Sequence, residues 1–168
     1  MTAEIETHHL ADDGTIPNNA RLPLLVYRRA VTPAAEDPEG TFQRLFRSHG
    51  WHGCWVNGIY DWHHYHSTAH EVLGVARGWA RVQFGGPQGV VAEVEAGDAV
   101  LIPAGVGHCR QAAKGLSVVG AYPPGQDWDM CGSDAADRAK ALANIPRVPV
   151  PEQDPIAGRN GAIQAQWH

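Results

Sequence analysis

The sequence predicts an all-β domain, a sandwich or closed barrel, with one or two short helices at its periphery. Three features carry this expectation. Between residues 51 and 122, short β-rich segments follow one another at intervals of about ten residues, separated by glycine turns. A single helical pattern precedes them, and no internal repeat or second apolar unit follows. The length of 168 residues suits one domain, since such domains commonly hold about 100 to 200 residues.

In chain order, residues 1–20 read as a polar N-terminal arm ending in the turn-forming IPNNA, with His8 and His9 as solvated tail residues. The single β domain is expected over residues 21–125. LPLLVY at 22–27 is short and apolar and predicts the first strand, with Pro23 near its start. Asp37 and Pro38 open a helix near 38–49: Asp37 caps, Pro38 fits the first turn, Phe42, Leu45 and Phe46 form one apolar face, and Gly50 stops it. Strands are then expected in WHGCWVNGIY, DWHHYH, EVLGVA, WARVQF, VVAEVE, AVLIP, VGHCRQA and LSVVGAY, broken at Gly78, Gly85–Pro87 and Gly97–Asp98. Residues 126–168 form a C-terminal extension packing on the barrel. Ser133 and Asp134 open a short helix through Asn144, supported by an Asp134–Arg138 pair, and Pro146, Pro149, Pro151 and Pro155 keep the tail irregular, without a core of its own.

Composition excludes several functions. The 18 acidic and 13 basic residues give a formal charge of −5 without long runs, so a nucleic-acid partner is not expected. No apolar run approaches the roughly 20 residues of a membrane helix, and no secretory h-region opens the sequence, so a cytoplasmic location and no membrane partner are expected. The three cysteines, Cys54, Cys109 and Cys131, have neither finger spacing nor a disulfide pattern.

The chemistry concentrates in the histidine-rich stretch from Gly58 to Gly78. His64 and His66 are two residues apart in β-favouring surroundings, so both imidazoles project from one face and can reach one metal ion; Glu71 follows, and His108 lies downstream. Tyr60 and Trp62 fall on the same face, Trp62 as either a pocket wall or barrel packing, and Arg110, two residues after His108, faces the same interior, where its guanidinium either holds a carboxylate or phosphate or else pairs with a structural acid or emerges at the rim. His70 is the alternative to Glu71, because His66 and His70 at i, i+4 suit a helical site. The HExxH pattern fails, however, with Gly74 in the position of its second histidine.

At this point the sequence resembles a family. Gly58, His64, His66, Glu71 and Gly78 stand at the spacing of the first cupin motif, and Gly97, Pro103, Gly105 and His108 at that of the second, with Ala112 replacing its final asparagine. HHYHSTAHEVLG, VEAGDAVLIPAGVGH and VVGAYPPGQDWD are similar to the YjlB-like group of small single-domain bacterial cupins. The resemblance implies a double-stranded β-helix, that is, a jelly-roll barrel. It also implies one divalent transition metal per chain, held by His64, His66, Glu71 and His108, and a homodimer. Iron, manganese, nickel, copper and zinc all suit such ligands. The expected function is that of a metal-dependent enzyme of dioxygenase, isomerase or decarboxylase type acting on a small anionic molecule. Glu71, Arg110 and Tyr60 are its candidate catalytic residues; the alternative is a non-catalytic metal or small-ligand sensor. The metal-free epimerase chemistry of some cupins, which pairs a histidine base with a tyrosine acid, is disfavoured by the chelating trio.

Overall fold

The computed structural model describes residues 3–168. Seven antiparallel strands and three short α-helices form a jelly roll: β1 Glu4–His8, β2 Leu24–Arg28, α1 Pro38–Ser48, β3 His52–Asn57, β4 Glu71–Phe84, β5 Val90–Glu95, β6 Ala99–Ile102, β7 His108–Tyr122, α2 Ala135–Asn144 and α3 Ala162–Gln166. The strands lie in the order β1-β2-β6-β4-β7-β3, with β5 pairing β4 off this path. No helix among the described residues is long and apolar enough to cross a membrane.

Alternation along each strand divides the apolar residues between two cores. Leu24 and Val26 of β2, Leu73 and Val75 of β4, and Val100 and Ile102 of β6 fill the barrel interior. Their neighbours Leu25, Tyr27, Val72, Ala99 and Leu101 face outward, where Phe42 and Phe46 of α1, with Trp51, Ile163 and Trp167, cover them. This two-sided burial is why LLVYR and AVLI read as continuous apolar runs. Each fully buried Phe of α1 contributes roughly 1.5–3 kcal/mol to this outer layer. The helix is capped as its sequence predicts, with the Asp37 carboxylate accepting from the Gly40 amide at 3.1 Å.

Two expected breaks are absent. EVLGVA and WARVQF join in the single strand β4, and VGHCRQA and LSVVGAY in β7. Gly78 and Gly115, at φ 76° and 61°, bend the paired strands without ending them, and the register between them shifts around Arg77. A Cβ on Gly78 would stand 2.4 Å from the backbone of Gly115. The bulge also changes which parity faces inward, from Leu73 and Val75 before it to Ala80, Val82 and Phe84 after it.

The chain ends differ from expectation more than its centre. Residues 4–8, expected in a polar arm with His8 as a solvated tail residue, form β1 on the edge of β2. DWHHYH forms no strand: His64 and Tyr65 make single bridges, to His108 on one side and Cys131 on the other. The Asp134–Arg138 pair does not form. Asp134 caps α2 through the Ala136 amide, and Arg138 reaches Asp12 instead, at 2.7 and 2.9 Å. The proline-rich tail does acquire a buried anchor: Asp154 accepts hydrogen bonds from the Tyr27 hydroxyl at 2.6 Å and from the amides of Ile156, Ala157 and Ile163. Trp167 inserts beside α1 and donates to the Pro23 carbonyl at 2.8 Å.

Candidate metal centre

The site begins with the crossing of three segments. His64 and His108 exchange both backbone hydrogen bonds, at 2.9 and 3.3 Å, which sets their side chains next to each other on one face. Tyr65 makes the equivalent exchange with Cys131, so residues 64–66 are held between β7 and the C-terminal extension. Glu71 is the first residue of β4, opposite Ile102 of β6, and its side chain enters the barrel mouth. His66, Glu71 and His108 bring one ligand atom each to within 4.8 Å of one another, and all three are buried.

The tautomers follow from the hydrogen bonds. His64 Nδ1 lies 2.8 Å from the Trp62 carbonyl, His108 Nδ1 lies 3.3 Å from that of Val106, and His66 Nδ1 meets that of Asp129. A carbonyl only accepts, so each Nδ1 donates, and a neutral ring then presents a bare lone pair at Nε2. The Nε2 atoms of His66 and His108 stand 3.3 and 3.5 Å from the same oxygen, Oε1 of Glu71. Lone pairs therefore converge on a carboxylate, an arrangement that is repulsive unless a cation, a proton or a metal ion, lies among them.

Charge coupling agrees with the geometry. Burial alone would raise the Glu71 pKa and lower that of His66; their mutual attraction reverses both, holding Glu71 below the carboxylate range and lifting His66. His64 is pushed down to about 3, by burial first and by His108 second, and so stays neutral. Its ring rests 4.0 Å from that of His108, but its donor atom lies outside the close group of three. The expected four-residue set is thus a trio with a fourth imidazole alongside.

His70 is not an alternative to Glu71 in this arrangement. Its ring packs against Trp167 at 4.8 Å, tilted by 59°, and its Nδ1 accepts from the Ala104 amide at 2.8 Å. Its Nε2 faces the carbonyls of Val148 and Pro149 without completing a hydrogen bond. Adjacent residues at the head of β4 point to opposite sides, which sends Glu71 inward and His70 behind the sheet.

Above the trio opens a pocket of about 680 Å³. Arg110 lines it at the rim, its Nε donating to the Ile59 carbonyl at 2.9 Å and a terminal nitrogen 3.8 Å from the exposed Asp61. Tyr60 also lines it at the mouth, edge-on to His64 at 5.3 Å. Trp62 does not: it packs on the His64 ring at 5.1 Å from the outer side, near Gly132.

Several residues were missed in the sequence. Tyr122 faces Glu71, and burial together with that carboxylate raises its phenol pKa; its oxygen accepts from Trp55 Nε1 at 2.9 Å. Trp128 stacks on Tyr122 and meets His66 edge-on at 5.7 Å. Asp129 holds the turn after His66, its carboxylate taking the Ser67 amide at 2.6 Å and the Ser67 hydroxyl. Parity from His108 would not have found the tyrosine, because the register of β7 shifts on the way: Arg110 and Ala113, three apart, both line the pocket.

Known proteins fit this description. The sequence profile of the cupin family matches residues 58–122. The uncharacterized protein YjlB of Bacillus subtilis is 38% identical over 168 residues, covering 99% of each chain. Solved structures to which the chain is similar include a cupin 2 domain-containing protein from Halorhodospira halophila, 17% identical, covering 87% of this chain and 81% of that one at a TM-score of 0.37. An acireductone dioxygenase from Bacillus anthracis with cadmium in its active centre is 14% identical, covering 72% and 92% at a TM-score of 0.41. With both motif halves meeting at one barrel mouth, and a relative 38% identical over nearly its full length, the chain belongs to the cupin superfamily, in its YjlB-like group.

Proposed function

We propose that this protein is a metal-dependent enzyme acting on a small anionic organic molecule, with one divalent transition metal held by His66, Glu71 and His108 and with His64 beside them as a fourth donor. One observation carries the reading: three imidazoles are locked by backbone carbonyls so that their Nε2 atoms are the free donors, two of them facing a single buried carboxylate oxygen. Such outer-layer fixing of tautomer and ring is what metal-ligating histidines require. Bound there, the ion would supply a Lewis-acid or redox centre, the chemistry shared by dioxygenase, isomerase and decarboxylase cupins.

The chain's own groups would do the rest. Arg110 binds the anionic end of the substrate and sets its direction. Tyr122, held by Trp55 Nε1, faces Glu71 and closes the pocket wall beside that carboxylate. Trp55, Leu73 and Leu116 exclude water around the reacting end. Tyr60 stands at the mouth, where it serves as a wall.

The test has two parts. Elemental analysis of the purified protein and of metal-reconstituted samples should give one ion per chain; the absence of a stoichiometric metal in both would refute the metal reading. Incubating the loaded protein with a panel of small carboxylates, with product detection by mass spectrometry, then separates catalysis from sensing: stabilisation by a compound without turnover of any favours the sensor.

A further inference from the structure

The exposed apolar residues of this protein are not scattered. Among the described residues seven large apolar side chains remain exposed, and four of them, Val56, Tyr60, Trp128 and Met130, line the pocket above His66, Glu71 and His108, at 47%, 52%, 51% and 37% exposure. A monomeric domain commonly carries single exposed apolar residues, whereas a cluster at the entrance of a pocket marks a binding surface. Two of the four are aromatic, and one is held in a defined plane: Trp128 lies 6.2 Å from Tyr122 with an angle of 20° between the rings, and Tyr122 is itself fixed by Trp55. The flat outer face of Trp128 is therefore presented in a set orientation.

The polar content of the pocket is equally selective. Histidines aside, Arg110 is the one cationic residue lining it and Glu71 the one acidic residue. The Ile59 carbonyl fixes the Arg110 side chain through Nε and leaves its terminal nitrogens for another partner. Asp61, at 3.8 Å and well exposed, is a loose partner of the kind that contributes about 0–1 kcal/mol, so an entering carboxylate can displace it. Arg110 follows His108 by two residues on the same strand face, a rise of about 6–7 Å. That spacing is about the length of one six-membered ring carrying a carboxylate. A polyphosphate would find too few cations on these walls.

We infer that the pocket takes an aromatic monocarboxylate, its ring lying on Trp128 and facing Tyr60, its carboxylate on Arg110 and its far end toward the histidine–glutamate group. The inference rests on the proposed function only for that far end; the aromatic wall and the arginine define the ligand class with or without a metal.

Titration of the full-length, metal-reconstituted protein by calorimetry with benzoate, cyclohexanecarboxylate and benzamide tests it. Benzoate should bind at least about tenfold more tightly than either comparison compound, the first lacking the planar ring and the second the charge. Trp128→Leu should cut benzoate affinity about tenfold while leaving cyclohexanecarboxylate nearly unchanged, and Arg110→Gln should abolish the preference for benzoate over benzamide. Trp128 is half exposed, so its replacement leaves the fold intact. Equal binding of benzoate and cyclohexanecarboxylate, or benzoate binding indifferent to Trp128→Leu, would overturn the inference. Elemental analysis of the same samples keeps the two proposals apart: these preferences in a protein without stoichiometric metal uphold the ligand class and sink the metal reading. Full metal occupancy without the preferences does the reverse.

Discussion

His66 Nε2 and Glu71 Oε1 stand 3.3 Å apart, both buried, while the other ring nitrogen of His66 is held by a backbone carbonyl. The pair is therefore a fixed donor set, and substitutions in it should rank by position. His66→Ala, His108→Ala and Glu71→Gln are expected to weaken metal binding by more than about a hundredfold, and His64→Ala, outside the close trio, by about tenfold. Chelator competition followed by elemental analysis reads this order; a His64 variant as damaging as the others would show that the fourth imidazole belongs to the trio.

Asp129 acts on the same ligand from outside. Its carboxylate accepts from the Ser67 amide and hydroxyl, and its carbonyl from His66. Asp129→Ala should cost about 1–3 kcal/mol of stability through the donors left unpaired, and lower metal affinity about tenfold. Denaturant unfolding of the metal-free protein gives the first quantity and chelator competition the second.

His70 should make stability depend on pH. Burial holds its pKa down to about 3, whereas in the unfolded chain it is near 6.5. Between these values the unfolded state binds more protons, so the contribution is complete above about pH 6.5 and is lost as pH falls toward 3, at about 1.4 kcal/mol per pH unit. Comparing His70→Gln with the parent in urea at pH 6 and pH 5, both with chelator present, isolates this residue: the variant's stability should fall less by about that amount.

The two strand-bending glycines should differ in tolerance. At Gly78 an added Cβ meets the Gly115 backbone at 2.4 Å, whereas at Gly115 nothing lies within 4 Å. Both have positive φ. Gly78→Ala should cost at least about 3 kcal/mol and Gly115→Ala about 1–2 kcal/mol. Thermal or urea unfolding of the two variants decides it.

Removing the Tyr27 hydroxyl leaves the buried Asp154 with one donor fewer. Tyr27→Phe is expected to cost about 1–3 kcal/mol, and Asp154→Ala more than about 3 kcal/mol, because several buried donors then lose their acceptor. Urea unfolding measures both.

What could be read from the sequence was what repeats or keeps a fixed spacing. Alternation and glycine turns predicted the barrel, Asp37 and Pro38 marked α1, and the motif spacing singled out His64, His66, Glu71 and His108, of which the last three form the close group. What could not be read depended on partners remote in the chain. Gly78 and Gly115 look like strand breaks until each is seen to face the other. Arg138 has Asp134 at a suitable helical distance, yet prefers Asp12, which no local rule could indicate. Residues 64–66 alternate as a strand would, but they are bridged at single points by His108 and Cys131. Asp129 and Trp128 lie in a segment without periodicity, and only their contacts with residues 66–68 and Tyr122 give them a role.

The hydrogen bond from His66 to the carbonyl of Asp129 spans 63 positions and joins the barrel to the segment that follows it. A barrel cut after Tyr122 would retain both cupin motifs and every residue of the close trio, yet one imidazole would be free to turn and to change tautomer. Matching the two motifs therefore does not ensure an equivalent ion-holding site. The orientation of the histidine–glutamate group thus rests on the segment after Tyr122 as well as on the barrel.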